Sequence, residues 1–119
     1  AGYLRVNAAC DGMLDTLHWS GGNTSLDALA AGLPVVTLPG AFMRGRQSAA
    51  MLGLLGIGEL AARDREDYAR IAARLAGDRA WREGIAARIR AGSGALFDRP
   101  EPVAALADFL ESAVPAGLA

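Results

Sequence analysis

The sequence predicts an α/β fold in which part of a Rossmann-like parallel sheet is followed by a helical C-terminal half. Three observations carry that expectation. Ser20-Gly21-Gly22-Asn23 is a glycine-rich loop joining the apolar run Gly12-Met13-Leu14-Asp15 to an Ala/Leu-rich helical stretch. Pro34-Val35-Val36-Thr37-Leu38 is a continuous β-branched run bounded by Pro and Gly, the pattern of a buried strand. After Asp64 the apolar residues fall at the spacing of amphipathic helices. Strand, helix, strand, helix, short strand and then helices is the order of part of a doubly wound sheet. Two or three strands make a thin sheet, since the mean is roughly 5–6. Residues 1–119 are therefore expected to be the C-terminal piece of a larger domain.

The first element, Tyr3 to Cys10, reads as a short helix with Leu4, Ala8 and Val6 toward one side. Gly12 to Asp15 reads as a buried parallel strand. The helix after the glycine loop is expected from Thr24 to Ala31, with Gly32 as its stop and Pro34 just beyond. A helix from Gly45 to Leu55 follows the central strand, ended by Gly56 and Gly58, and Glu59-Leu60-Ala61 suggests a third short strand. Asp64-Arg65-Glu66-Asp67 can cap a helix through Tyr68, Ile71, Ala72 and Leu75. Gly77-Asp78 breaks it, and Trp81, Ile85, Arg88 and Ile89 continue in a second helix. Pro100 to Val114 suggests a third, with Val103, Leu106, Phe109 and Leu110 on one face. There is no internal repeat.

Composition narrows the function classes. A chain of 119 residues holds one small domain, and 52% hydrophobic residues permit a core. A net charge of −1 and a pI near 5.8 give no basic excess for nucleic acid and no acidic tail. The single cysteine, Cys10, excludes an internal disulfide and a multi-cysteine metal site, and is expected to be a buried free thiol. No apolar run approaches the ~20 residues of a membrane span. The first residues lack a signal-peptide pattern. A reducing cytoplasm fits these features.

The glycine loop supports two readings. Gly21 and Gly22 let the backbone approach a ligand, and Asn23, Thr24 and Ser25 bring donors to a helix N-terminus. Free amides and the helix dipole favour an anion there, and Asp27 can accept from sugar hydroxyls. Alternatively, Thr24-Ser25-Leu26-Asp27 matches a capping box, and two glycines before a helix can mean only a tight turn. His18, the only histidine, suits proton transfer by its ordinary pKa but has no orienting partner in sight; a loop residue at a cleft edge is the favoured reading. Trp19 can stack on a ligand or pack the loop on the sheet. Arg44 and Arg46 follow Pro39-Gly40 where ligands of such folds gather, with ordinary ion pairing the alternative. The segment Trp81 to Arg90 reads as a packed helix with a solvated arginine face.

A wider pattern ties these pieces together. It runs through Leu14-Asp15-Thr16, Gly21 to Ser25, Asp27-Ala28-Leu29, Gly32, Pro34 to Gly40, Arg46, Ser48 and Leu55-Gly56, and continues in Glu66-Asp67-Tyr68 and Leu96-Phe97-Asp98. This resembles the C-terminal catalytic half of O-linked N-acetylglucosamine transferases and SPINDLY-type proteins over nearly the whole chain. The resemblance implies a GT-B architecture, two Rossmann-like domains with the active site between them. It implies metal-independent, inverting transfer of N-acetylglucosamine from UDP-N-acetylglucosamine to protein Ser or Thr, with no cofactor. Gly22, Asn23, Thr24 and Ser25 would then meet the diphosphate, Asp27 the ribose, and Arg46 the phosphates. The animal enzymes carry a histidine where this chain has Gly22, so that contact does not transfer. The lysine they use near the nucleotide falls before residue 1. An upstream Rossmann-like domain and tetratricopeptide repeats are the implied partners, beside the donor and a protein acceptor. No catalytic residue and no metal ligand is implied here. GDP-fucose or UDP-glucose as donor, and a non-catalytic binding or assembly module, are the alternatives. Alone, the segment is expected to be inactive and to self-associate through an uncovered sheet edge.

Overall fold

The computed structural model describes residues 2–113. Its sheet is built from three parallel segments. β1 (Met13–Leu14) pairs with β2 (Val35–Val36), Met13 opposite Val35 and Leu14 opposite Val36. On the far side of β2, Thr37 makes a single parallel bridge to Ala61. Thr37 N–H donates to the Leu60 carbonyl at 3.1 Å, and Ala62 N–H to the Thr37 carbonyl at 2.8 Å. α2 (Asn23–Ala30) connects β1 to β2, and α3 (Gln47–Leu54) follows β2, as parallel strands require.

The strands are shorter than the sequence predicts. The run 34–38 keeps two ladder residues and a bridge, since prolines at 34 and 39 lack the amide that would extend it. The expected strand Glu59–Ala61 pairs only at Ala61. A 3-10 turn at Gly58–Leu60 takes the Ala61 amide, which donates to the Gly58 carbonyl at 3.0 Å. β1 is not buried on both faces: among the described residues it pairs only with β2, and Leu14 is 59% exposed. The helix expected from Gly45 starts at Gln47, because Met43–Gly45 form a 3-10 turn of their own.

Glycines end two helices as expected. Gly32 has φ +78°, and the stem of Arg90 fills the space where a Cβ would sit. Gly56 closes α3 at φ +65°. α4 (Arg65–Gly77) and α5 (Arg79–Gly92) are each started by an aspartate. The Asp64 carboxylate accepts from Asp67 N–H at 2.8 Å, and Asp78 accepts from Trp81 N–H at 3.0 Å. The core lies between β2 and these helices: Leu29, Val35, Val36, Leu52, Ile57, Leu60 and Ile89 are fully buried. Each such side chain contributes about 1.5–3 kcal/mol by leaving water.

The periphery departs from expectation. α1 (Gly2–Ala9) is a helix, but its predicted apolar face is not the buried one. It packs on α2, with Asn7 at the contact, while Leu4 and Val6 remain exposed. Cys10 follows this peripheral helix and is exposed rather than buried. α6 (Glu101–Ala113) forms, with every one of its residues exposed; Val114, also expected in it, lies outside the described residues. No helix among the described residues is long and apolar enough to cross a membrane.

Candidate functional site

The loops leaving the C-terminal ends of β1 and β2 meet over the sheet. Ser20 N–H donates to the Arg44 carbonyl at 2.8 Å, and Ser48 N–H donates to Ser20 Oγ at 2.9 Å. The starts of α2 and α3 are thereby fixed side by side. In an open parallel sheet this edge is where ligands bind.

Asp15 holds the junction. It follows β1 directly and is 5% exposed. Its Oδ1 accepts from Gly21 N–H at 2.7 Å and Thr16 N–H at 3.1 Å. Its Oδ2 accepts from Ser20 Oγ and Thr37 Oγ1, both at 2.7 Å. Four donors satisfy a buried carboxylate without a cation. The network continues inward, with Ser48 Oγ 2.8 Å from Ser20 Oγ and 2.7 Å from Ser25 Oγ. Tyr68 of α4 donates its hydroxyl to the Asp15 carbonyl at 2.8 Å; burial, with the nearby Asp15 charge, pushes the Tyr68 phenol up. The sequence marked Asp15 as a strand end and, within Leu14-Asp15-Thr16, as part of the wider family pattern, with no role assigned to it. Ser20, Thr37 and Ser48 are scattered along the chain, and no spacing rule joins them. The available signal was a run of small polar residues at the ends of apolar strands.

Above this network the start of α2 is open. Gly22 occupies the N-cap position, and no side chain caps the helix. Ser25 and Leu26 N–H both reach the Gly22 carbonyl at 3.1 Å, whereas the Asn23 and Thr24 amides have no partner among the described residues. The capping box does not form. The helix begins at Asn23, so Thr24 lies within the first turn rather than before it. Asn23 and Thr24 are exposed, Asp27 is half-buried, and their side chains have no hydrogen-bond partner among the described residues. Gly21 is needed for space, and Gly22 is closely approached by a long side chain. A Cβ on Gly21 would lie 2.5 Å from Ser25 Oγ and 2.6 Å from Thr24 Oγ1; one on Gly22 would lie 2.8 Å from Gln47 Oε1. Gln47, unremarked in the sequence, thus sits against the loop from the α3 side. Ser25 differs from its neighbours in the motif: its hydroxyl is fully buried against Ser48 and turned away from the open end.

Arg46 Nη1 donates to the Gly40 carbonyl at 3.1 Å, and the Arg44 guanidinium stands 4.8 Å over the Phe42 ring. Neither joins an ion pair among the described residues, so both charges are available beside the helix starts. Trp19 is 68% exposed and does not pack the loop onto the sheet. His18 is exposed too, with no side-chain hydrogen bond among the described residues. Free amides, a helix dipole and two unpaired arginines form an arrangement suited to a multiply charged anion.

The parallel sheet and the open glycine loop at its C-terminal edge define a partial Rossmann-like domain of the GT-B glycosyltransferase type. A solved mutant of the Thermobaculum terrenum O-GlcNAc transferase superposes with TM-score 0.82 and 36% identity, covering 92% of this chain and 21% of that one. The model of glycosyl transferase family 41 matches residues 3–102, and the chain belongs to that family. A UDP-N-acetylglucosamine–peptide N-acetylglucosaminyltransferase of Caenorhabditis elegans is 34% identical over 98 residues, 81% of this chain. A probable UDP-N-acetylglucosamine–peptide N-acetylglucosaminyltransferase SPINDLY of Eustoma exaltatum subsp. russellianum is 30% identical over 76 residues, 64% of this chain. The chain spans 8% of the length of each of these two relatives.

Proposed function

We propose that this segment holds the donor diphosphate and ribose in a transferase that moves N-acetylglucosamine from UDP-N-acetylglucosamine to protein Ser or Thr. One observation carries the reading: α2 starts without a side-chain cap among the described residues, directly after two glycines and beside two arginines that lack acid partners there. The activity named for the Caenorhabditis elegans relative supports the choice of sugar and acceptor. Asn23 and Thr24 offer amides and side-chain donors to the phosphates, and Gly22 keeps that approach open. Arg46, with Arg44, adds positive charge. Asp27, one turn on, accepts from the ribose hydroxyls. Ser25 and Asp15 position the loop from beneath.

The chemistry asked of this half is electrostatic. As the glycosidic bond breaks, negative charge grows on the leaving diphosphate. Preorganised amides, the helix dipole and the arginines stabilise that charge without reorganising at the moment of reaction. Metal-independent transfer follows from letting these groups carry the charge. Base recognition and acceptor binding fall to sequence upstream of this segment, and closure of the cleft to a facing Rossmann-like domain, with tetratricopeptide repeats further upstream.

Calorimetry with UDP on the full-length protein tests the reading. Thr24→Ala and Asp27→Ala are each expected to weaken UDP about tenfold, the value of a hydrogen bond to a charged group. Unchanged UDP affinity in both variants would overturn it.

A further inference from the structure

At the opposite edge of the sheet, where the chain runs into β1 and β2, lies a cavity of about 420 Å³. Asn7 of α1 forms one wall, the turn after α2 with Gly32 forms the floor, and a stripe of α5 including Arg90 forms the other wall. It shares no residue with the Asp15 junction or the open start of α2.

Two features of this cavity are unexplained by folding. The first is Asn7. It is 6% exposed, and its side-chain amide nitrogen is buried with no hydrogen-bond partner among the described residues. A buried donor left unmade costs stability, and native proteins keep few of them. Asn7 lines the cavity, and the terminal torsion of asparagine is soft. The second is charge. Arg82 pairs with Asp11 at 3.1 Å, and Arg79 with Glu83 at 2.7 Å. Arg90 has no carboxylate partner among the described residues, although its stem is held in place over Gly32. One positive charge in the lining is therefore uncompensated among the described residues, in a cavity that Asn7 also lines.

We propose that this cavity is a second ligand site, taking a small oxyanion, either a carboxylate or a phosphate ester, between the Asn7 amide and the Arg90 guanidinium. An oxyanion supplies both missing groups at once: an acceptor for the amide and a charge-assisted, forked contact for the guanidinium. The chemistry shared by the two ligand classes is the oxyanion, and the probe decides between them.

The test is amide NMR and calorimetry on the full chain with inorganic phosphate and, separately, with citrate. Saturable shifts are expected at the Asn7 side-chain amide and at Gly32. Asn7→Leu should weaken binding about tenfold while raising the melting temperature, because it removes an unpartnered buried amide. A purely structural asparagine would not combine those two effects. Arg90→Gln, at an exposed position, should weaken binding similarly and keeps the test intact if Asn7→Leu does not fold. Binding of phosphate alone assigns a phosphate ester, and binding of citrate alone assigns a carboxylate. Shifts confined to Asn23 and Thr24, no saturable binding of either probe, or affinities unchanged in the variants would overturn the proposal.

Discussion

Helices α4 and α5 begin on an aspartate that accepts a hydrogen bond from its own first turn; α2 begins on a glycine that accepts with its carbonyl alone. All three starts lie in one small domain and face the same problem, amides without helical partners. The chain solves it locally for α4 and α5, where the caps serve only the fold. For α2 it holds the loop rigidly from below through Asp15 and leaves the upper side bare. Rigidity supplied from beneath is what an anion site needs, since a side-chain cap would occupy the position of the ligand.

The comparison breaks most severely at Asp15. Asp15→Ala strands the Gly21 amide and the Thr37 hydroxyl, while the Ser20 hydroxyl keeps Ser48 as its partner. At about 1–3 kcal/mol for each unsatisfied group, we expect a loss of several kcal/mol, read by denaturant unfolding. A loss under about 1 kcal/mol would mean that the network does not anchor the loop.

A smaller effect is expected when a structural start is opened. Asp64→Ala should lower stability by about 1 kcal/mol and leave nucleotide affinity untouched. Thermal melts and calorimetry on the same variant check both halves.

Acid sharpens the contrast more gently. The Trp81 amide holds the Asp78 carboxyl below its ordinary range, helped by Arg74. Hydrogen bonds from Arg63 and Arg70 hold Asp67 well below it as well. Groups depressed on folding stabilise the native state above the unfolded value near 3.9, and that contribution is lost as pH falls through the folded value. Asp67→Asn and Asp78→Asn should therefore be less stable than the parent at pH 7, with the gap narrowing below about pH 4. A gap that widens in acid would contradict the assignment.

The mildest expectation concerns the β1 edge. Leu14 is exposed on a strand paired on one side only among the described residues. We expect the 119-residue chain to self-associate in light scattering, and Leu14→Lys to shift it toward monomer. A parent chain that stays monomeric at all concentrations would remove the edge as an association surface.

What was legible in the sequence follows the same division. Local rules decide Asp64 as a helix start, Gly77-Asp78 as a break, Gly32 and Gly56 as stops, and Val35-Val36 as the strand, and these features all appear; that Asp78 also caps the next helix was not read from the sequence. The capping box at Thr24–Asp27 failed because the register of a cap depends on where the preceding loop delivers the chain, and Asp15 decides that. The network itself was hidden because residues 15, 20, 25, 37 and 48 converge only through the parallel sheet. Helical periodicity likewise placed α5 and α6, yet α5 buries Ile85 and Ile89 while α6 buries none of its residues. Amphipathic spacing states that a face is apolar; what covers the face is a property of the assembled chain.

We propose that the start of α2 is open for a ligand and that those of α4 and α5 are not. The most direct test is one matched pair of variants in the full-length protein, Thr24→Ala and Asp64→Ala, each measured for UDP affinity by calorimetry and for melting temperature. A crossed result is expected: Thr24→Ala weakens UDP about tenfold with little change in melting temperature, and Asp64→Ala lowers the melting temperature with UDP affinity intact. A lowered melting temperature with full UDP affinity in both variants would show that α2 starts as the other two helices do, and would contradict the account.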